Sequence, residues 1–102
     1  MVIEIVELNI KPGQEGAFEA GVAEAAKLFE RTKGCLAMVL RRSVEQPNHY
    51  RLFVKWRHID DHLVGFKNSP EIEEWRKLVG PFFASPPAIE HFEDAVPGFG
   101  SV

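Results

Sequence analysis

Residues 53–62, FVKWRHIDDH, hold the densest group of side chains capable of chemistry in the sequence. His58 and His62 stand four positions apart, a spacing at which a helix can offer two imidazoles to one metal ion. However, Ile59 stands where an H-E-x-x-H zinc motif has its general-base glutamate, and no third ligand lies nearby in the sequence. A metal site is therefore disfavoured, and His58 is expected to lie in a helix cap or on the surface.

His62 alone is a better candidate for chemistry. A neutral imidazole accepts a proton near pH 7, which is what the deprotonation of a phenol or an enediol requires. The alternative is that His62 is an exposed residue in the first turn of a helix that Asp60 and Asp61 begin. Both interpretations remain open from the sequence.

Trp56 lies at the end of a predicted strand, HYRLFVKWRH. Strand alternation groups Trp56 with Tyr50, Leu52 and Val54 on one apolar face. This pattern alone turns the face toward a core packed by helices. The alternative is that Trp56 lines an apolar cavity, which would suit an aromatic or quinone-like ligand.

The elements that would position these residues follow the order β-α-β-β-α-β. The predicted strands are VIEIVELNI, CLAMVLRRSVE, HYRLFVKWRH and AIEHFEDA. One helix is predicted from about Gln14 to Thr32, and another begins at Ser69-Pro70 and ends near Gly80. This order predicts an α+β fold, the ferredoxin-like split arrangement with an antiparallel sheet. The apolar stripe of the first helix consists of Phe18, Val22, Ala25 and Phe29.

Both faces of the predicted sheet are apolar. In the first strand, Val2, Val6 and Leu8 lie on one side, while Ile3 and Ile5 lie on the other. Helices cover one face of such a sheet, and an exposed antiparallel face would alternate with polar residues. A homodimer through the sheet face is therefore predicted, with two sheets enclosing a shared core or cavities. The domain is expected to span residues 1–95, and the tail 96–102 to be flexible or to contact the partner.

Length and composition exclude several classes of protein. The chain has 102 residues, the size of one domain, and its net charge of −3 is interspersed, without the basic face that nucleic acid requires. No apolar run approaches the length of a membrane span and no signal-peptide pattern is present, so a cytoplasmic protein without a membrane partner is expected. No glycine-rich nucleotide motif or Cys/His cluster occurs, so no cofactor is expected. The single cysteine, Cys35, is expected to be a buried, unreactive thiol.

Three segments carry a resemblance to a known family. NIKPGQEGAFEA, FVKWRHIDDHLVGFKNSPEIEEWRKLVGPFF and PPAIEHFE resemble the antibiotic biosynthesis monooxygenase family of dimeric α+β barrels. The distinctive pieces are the tryptophan that ends the third strand, the NSP restart of the second helix and the Pro-Pro before the last strand. The resemblance implies a dimeric barrel and leaves the activity open, since the family includes cofactor-free oxidases of phenols, haem-degrading enzymes and an isomerase.

The resemblance also implies site residues, one position at a time. In the monooxygenase branch, an apolar cavity between sheet and helices holds the substrate near the tryptophan. Trp56 and Arg76 match the family's tryptophan and helical arginine. His62 replaces a tyrosine, Leu52 an asparagine and Arg42 a histidine, so the phenol-oxidising set is incomplete.

The haem-degrading branch uses an asparagine on the first strand and an iron-ligating histidine on the second helix. Val6 and the pair Trp75-Arg76 stand at those positions, so haem degradation is disfavoured.

Other polar residues on the strands receive structural roles. Arg42 follows the phase of Leu36, Met38 and Leu40, a face that the resemblance turns inward. An inward arginine needs a carboxylate or an anionic ligand, and Glu4 is the candidate partner. His91 and Asn9 are not grouped with other candidate site residues and are interpreted as structural.

The leading hypothesis is a cofactor-independent monooxygenase that oxidises a small aromatic, phenolic or quinol substrate with O₂. Without flavin or metal, the deprotonated substrate must itself donate an electron to O₂. His62 would be the base, and Arg76 or Arg42 would stabilise the anion. Trp56 and Leu52 would contact the substrate. The alternatives are a non-oxidative isomerase or tailoring enzyme that uses the same pocket, and a non-catalytic dimeric ligand-binding or stress-response protein.

Overall fold

The fold is an antiparallel sheet of four strands with two helices packed on one face, seen in a computed structural model that describes residues 1–102. Neighbouring strands lie in the order β2-β3-β1-β4, and every adjacent pair is antiparallel. The predicted ferredoxin-like β-α-β-β-α-β order is therefore confirmed. In chain order the elements are β1 (Val2–Asn9), α1 (Glu15–Glu30), β2 (Cys35–Arg42), β3 (His49–Trp56), a π-helical turn (Asp61–Phe66), α2 (Pro70–Val79), a 3-10 turn (Gly80–Phe82) and β4 (Ala88–Phe92).

The core lies between the helices and one face of the sheet, as the apolar patterns predict. The stripe of α1 is buried, with Phe18 and Ala25 fully so. On β3 the face that ends at Trp56 is also buried, and Trp56 is the largest side chain with no exposed surface. Burying a side chain of this size contributes about 2–3 kcal/mol, so this face alone supplies a large part of the stability. The apolar core is formed by Val6, Leu8, Ile10, Phe18, Val22, Phe29, Tyr50, Leu52, Val54, Trp56, Phe66 and Val79.

The other face of the sheet carries no helix. It presents Ile3, Ile5, Val39 and Phe53, of which Val39 is 41% exposed. The chain after β4 passes over this face and leaves Phe99 almost wholly exposed. An open cavity of about 570 Å³ lies between the tail and the strands. The second apolar face that the sequence predicts is thus confirmed, and we call it the outer face.

A turn between β3 and α2 brings His62 into the core. Gly34, at φ +82°, lies in the connection from α1 to β2, and its carbonyl accepts a hydrogen bond of 2.8 Å from the Arg57 backbone N–H. The π-helical turn then follows, and the Lys67 N–H reaches back five residues to the His62 carbonyl at 3.1 Å. The turn holds one residue more than an α-helical turn, and its buried side chains are His62 and Phe66.

Neither long helix has the length and apolar character that crossing a membrane requires.

Candidate functional site

A carboxylate lies inside the apolar core. Glu4, on β1, is only 4% exposed and faces the helices between Val54 and His91 in the strand register. Its Oε1 accepts a hydrogen bond of 2.9 Å from the indole N–H of Trp56. Burying a charged carboxylate is costly unless it is paired and hydrogen-bonded, so this position calls for a structural or functional reason.

His62 is the second ionisable group of this site. It is 3% exposed, and its Nε2 lies 3.5 Å from Glu4 Oε2. Its ring stacks on Trp56 with centroids 5.4 Å apart and planes inclined by 17°. Its Nδ1 lies 2.8 Å from Nε2 of His91, on the edge strand β4. Glu4, Trp56, His62 and His91 thus form one connected polar group, which we call the core network.

Burial moves the protonation equilibria of the core network toward neutral forms. It raises the pKa of Glu4 to about 7, against the opposing effects of the Trp56 hydrogen bond and the Lys67 ammonium. Burial lowers the pKa of His62 to about 4, and the positive charges of His91 and Lys67 add to the effect. Burial and Lys67 also lower the pKa of His91. An ion pair with Glu4 would raise the pKa of His62, but at 3.5 Å it does not offset the burial of both groups.

The hydrogen bonds of the core network couple the proton positions of its members to one another. A neutral imidazole has one N–H, so the short His62–His91 contact needs one ring to donate and the other to accept. When Glu4 is ionised, the His62 Nε2–H faces the carboxylate, and the His62 Nδ1 accepts from the His91 Nε2–H. When Glu4 is protonated, its O–H can donate to the His62 Nε2, and the His62 Nδ1–H can donate to the His91 Nε2. The core network can therefore relocate a proton without creating an imidazolium.

Three of the five predicted site residues lie in the buried layer that contains this network. Trp56 and His62 are in direct contact. Leu52 is 1% exposed and lies on the same face of β3, opposite Val6. His62 is not the exposed first-turn residue of the alternative interpretation, because its side chain is buried.

The two predicted arginines do not join this group. The guanidinium of Arg42 is about half exposed and lies 3.3 Å from Glu19 Oε2, which also accepts a 2.6 Å hydrogen bond from the Tyr50 hydroxyl. The predicted pairing of Arg42 with Glu4 is therefore wrong. β2 is an edge strand, and its end leaves Arg42 within reach of solvent.

Arg76 is likewise a surface residue. Its side chain is 62% exposed, and its Nη1 lies 2.7 Å from Glu73, one helical turn earlier. A pair of this kind on an exposed helix face contributes only a few tenths of a kcal/mol.

His58 lies between β3 and the π-helical turn, as the sequence predicts. It is exposed and precedes the π-helical turn, and its backbone N–H donates to Asp61 Oδ2 at 3.2 Å. The i, i+4 relation to His62 therefore falls outside a continuous helix, and the two rings do not share one face.

Glu4 and His91 are functional candidates that the sequence did not identify as such. Glu4 was predicted to pair with Arg42, and His91 was interpreted as structural. The signal for Glu4 was its phase: it lies on the same side of β1 as Val6 and Leu8, which are buried. A charged residue in phase with buried apolar ones marks a buried charge. His91 carries no such signal, because β4 is short and mostly exposed.

Comparisons with known proteins give the family. The profile described as "Antibiotic biosynthesis monooxygenase" matches residues 1–78. "Uncharacterized protein YczJ" of Bacillus subtilis is 37% identical over 94 residues, which cover 92% of this chain and 99% of that one. A candidate antibiotic biosynthesis monooxygenase from Bordetella bronchiseptica has a solved structure that is 45% identical, with a TM-score of 0.91 over 93% of this chain and 97% of that one.

A more distant structure shares the fold alone. SnoaB of Streptomyces nogalater, described as a cofactor-independent oxygenase, is 18% identical with a TM-score of 0.80, and the match covers 93% of each chain. The profile match and the relatives at 37% and 45% identity carry the assignment. The chain belongs to the antibiotic biosynthesis monooxygenase family.

Proposed function

We propose that the protein is a cofactor-independent monooxygenase that oxidises a small aromatic, phenolic or quinol substrate with O₂. The observation that carries the proposal is the buried, neutral His62 stacked on Trp56 and connected to a second histidine and a carboxylate. Such chemistry begins with removal of a substrate proton, which leaves an electron-rich anion that can reduce O₂. Because its pKa is about 4, His62 is unprotonated at neutral pH and is available to accept a proton.

The roles follow from the positions of the side chains. His62 belongs to the proton-accepting group. Trp56 and Leu52 would contact an aromatic substrate only after the helices move apart from the sheet, because both side chains are buried in this structure. Arg42 and Arg76 remain candidates for stabilising the substrate anion. Each would first have to leave its carboxylate partner, Glu19 or Glu73.

The proposal includes a homodimer through the outer face. Arg41 and Arg51 stand opposite each other on this face, and neither forms an ion pair within the chain. Like charges directly opposite across two strands are destabilising, so they call for anions from outside the sheet. Glu90 and Asp94 lie toward the β4 side of the same face. A two-fold axis would set the cations of one copy against the acids of the other, with residues 1–95 as the domain and 96–102 contacting the partner.

The test is oxygen uptake with a panel of hydroquinones and naphthols in buffer free of metal and flavin. We expect uptake by the native protein and a loss of at least about 100-fold in His62→Ala, the usual size of an acid–base contribution. His58→Ala is the matched control, because His58 is exposed and precedes the same turn. Unchanged uptake in His62→Ala, Trp56→Ala and Arg76→Ala would contradict the site.

A non-oxidative isomerase or tailoring enzyme is the second candidate. The chain of titratable groups favours it, because proton transfer between two carbons or oxygens needs such a chain and no O₂. Turnover that continues under anaerobic conditions would identify this function in place of oxidation. Saturable quenching of tryptophan fluorescence without any turnover would instead indicate a binding protein.

A further inference from the structure

His62 is enclosed on every side, which raises the question of how a proton reaches it. Both of its ring nitrogens face other groups of the core network, and its side chain is 3% exposed. A substrate therefore cannot touch His62 in this arrangement. The accessible member of the network is His91, which is partly exposed on the edge strand β4.

We propose that Glu4, His62 and His91 form a proton relay, in which His91 takes the substrate proton at its outer nitrogen and Glu4 holds it inside the core. This deepens the proposed function and rests on it for the identity of the substrate. His91 would be the catalytic residue that contacts the substrate, while His62 and Glu4 would act through it.

The geometry arranges the three groups in series. His91 Nε2 lies 2.8 Å from His62 Nδ1, and His62 Nε2 lies 3.5 Å from Glu4 Oε2. The other carboxylate oxygen of Glu4 is already occupied by the Trp56 N–H at 2.9 Å, so the series ends there. At the opposite end, the Nδ1 of His91 is the ring nitrogen left free for a ligand. The second gap must close by about half an ångström for a good hydrogen bond, a shift within ordinary side-chain motion.

The proton transfers balance, and neither histidine ends as an imidazolium. The substrate O–H gives its proton to His91 Nδ1 and keeps the bonding electron pair as an anion. The Nε2 proton of His91 moves to His62 Nδ1, and the Nε2 proton of His62 moves to Glu4. The relay then contains a carboxylic acid and two neutral imidazoles in their other tautomers. One negative charge has moved from Glu4 to the substrate, and the reverse steps return the proton after the reaction.

The titratable groups around the relay favour this path, in which both histidines stay neutral. Lys67, from the end of the π-helical turn, is the cation that acts on all three members, favouring ionised Glu4 and disfavouring an imidazolium. The Cys35 thiol lies within the field of Glu4, and burial raises its pKa to about 11, so it stays protonated and does not compete. Glu4, whose pKa is near 7, can accept and release the proton at neutral pH.

The test reads the histidine tautomers directly, without substrate, from ¹⁵N NMR of the ring nitrogens between about pH 5 and pH 9. We expect His62 to exchange one tautomer for the other as Glu4 titrates, and Glu4→Gln to abolish this exchange. Glu7→Gln is the matched control, since Glu7 lies on the same strand but on the outer face beside His49. A single His62 tautomer over the whole range, or an exchange that survives in Glu4→Gln, would overturn the relay.

Measurements of activity test the relay and the proposed oxidation separately. His91→Asn should lower kcat by at least about 100-fold while the fold, followed by far-UV circular dichroism, stays intact. Glu4→Gln should remove the limb of the kcat pH profile that lies near pH 7. A tautomer exchange without oxygen uptake would keep the relay and reject the oxidation. Oxygen uptake that is unaffected by His91→Asn would reject the relay and keep the oxidation.

Discussion

Glu4 and His62 are expected to make opposite contributions to the pH dependence of stability. Glu4 has a folded pKa of about 7 against 4.5, so stability is highest below pH 4.5 and falls as pH rises to about 7. His62 has a folded pKa of about 4 against 6.5, so its contribution is complete above pH 6.5 and is lost as pH falls to about 4. Each contribution amounts to about 3 kcal/mol, and the two nearly cancel in the interval they share.

Single substitutions should separate the two contributions. In Glu4→Gln the free energy of unfolding should rise between pH 4 and pH 6.5, because only the His62 contribution is left. In His62→Gln it should fall between pH 4.5 and pH 7. Urea unfolding at a series of pH values measures both, and the native protein serves as the reference for all other titrating groups. Parallel pH profiles in the three proteins would show that neither group is titrated as described.

Trp56 is expected to stabilise the fold in a pH-dependent way, because its indole N–H is the hydrogen-bond donor to Glu4. Trp56→Phe should lower the free energy of unfolding by about 3 kcal/mol at pH 8, where the ionised carboxylate loses its donor. The loss should be smaller at about pH 5, where Glu4 is protonated. Trp75→Phe is the control, since Trp75 packs edge-on against Phe29. An equal loss at both pH values in Trp56→Phe would contradict this role.

At this scale, the sequence predicted residues by type and phase but not their partners. His62 was identified because a neutral imidazole can accept a proton near pH 7, and Trp56 because it matches the family's tryptophan. The partnership of Glu4 with Trp56 joins residues 52 positions apart, and it depends on the β1–β3 register, which alternation alone does not determine. Arg42 was placed inward by its phase together with the family resemblance, but an edge strand lets a long side chain reach solvent at its end.

Among the elements, the packing of the α1–β2 connection against the π-helical turn depends on one glycine. Gly34 has a φ of +82°, and a Cβ there would collide with the carboxylate of Asp61, the first residue of the turn. Gly34→Ala should therefore destabilise the protein by about 1 kcal/mol for the left-handed backbone and by more for the collision. Gly13→Ala is the matched control, because Gly13 has a φ of +86° with open space around it.

Chemical denaturation gives the loss in free energy of unfolding for each variant. The difference between the two losses is the part caused by the collision with Asp61. Adding Asp61→Ala to Gly34→Ala should recover only the share due to the carboxylate, because the Asp61 Cβ, which alanine keeps, would also lie 2.7 Å from the added Cβ. Equal destabilisation of Gly34→Ala and Gly13→Ala would mean that Asp61 moves aside freely.

Hydrophobic periodicity predicted the strands and the two long helices because burial determines both. Helix α1 begins one residue later and ends two residues earlier than the predicted range of Gln14 to Thr32, an ordinary difference for frayed ends. The π-helical turn was not predicted, since a single extra residue in a short, broken helical region leaves no periodic signal. The burial of His62 depends on that turn, which explains why its exposure remained open.

At the scale of the whole molecule, the outer face is the surface proposed for assembly into a dimer. Phe53 stands between Ile5 and Val39 on this face, and the Arg41 guanidinium lies 4.7 Å above its ring. If two copies meet through the outer face, Phe53→Asp should bury a charge at the centre of the interface and separate them. Light scattering after size exclusion should give the mass of two chains for the native protein and of one chain for the variant.

The control for this prediction is Val64→Asp, because Val64 is 56% exposed on the π-helical turn, away from the outer face. A native protein with the mass of one chain, or a Phe53→Asp variant that stays paired, would contradict the proposed interface. The sequence predicted the apolar outer face from the double-sided pattern of β1, but a single chain does not contain the surface that would cover it.

The π-helical turn also bears on how this chain could change over evolution. Because the Lys67 N–H reaches five residues back to His62, deletion of one codon at an exposed position such as Val64 would restore an ordinary α-helical turn. The residues before the deletion would then rotate by about 100° about the helix axis relative to those after it. His62 would leave its stack on Trp56, while the sheet and both long helices could remain as they are. A single insertion or deletion would thus be enough for a lineage to gain or lose the buried histidine within an unchanged fold.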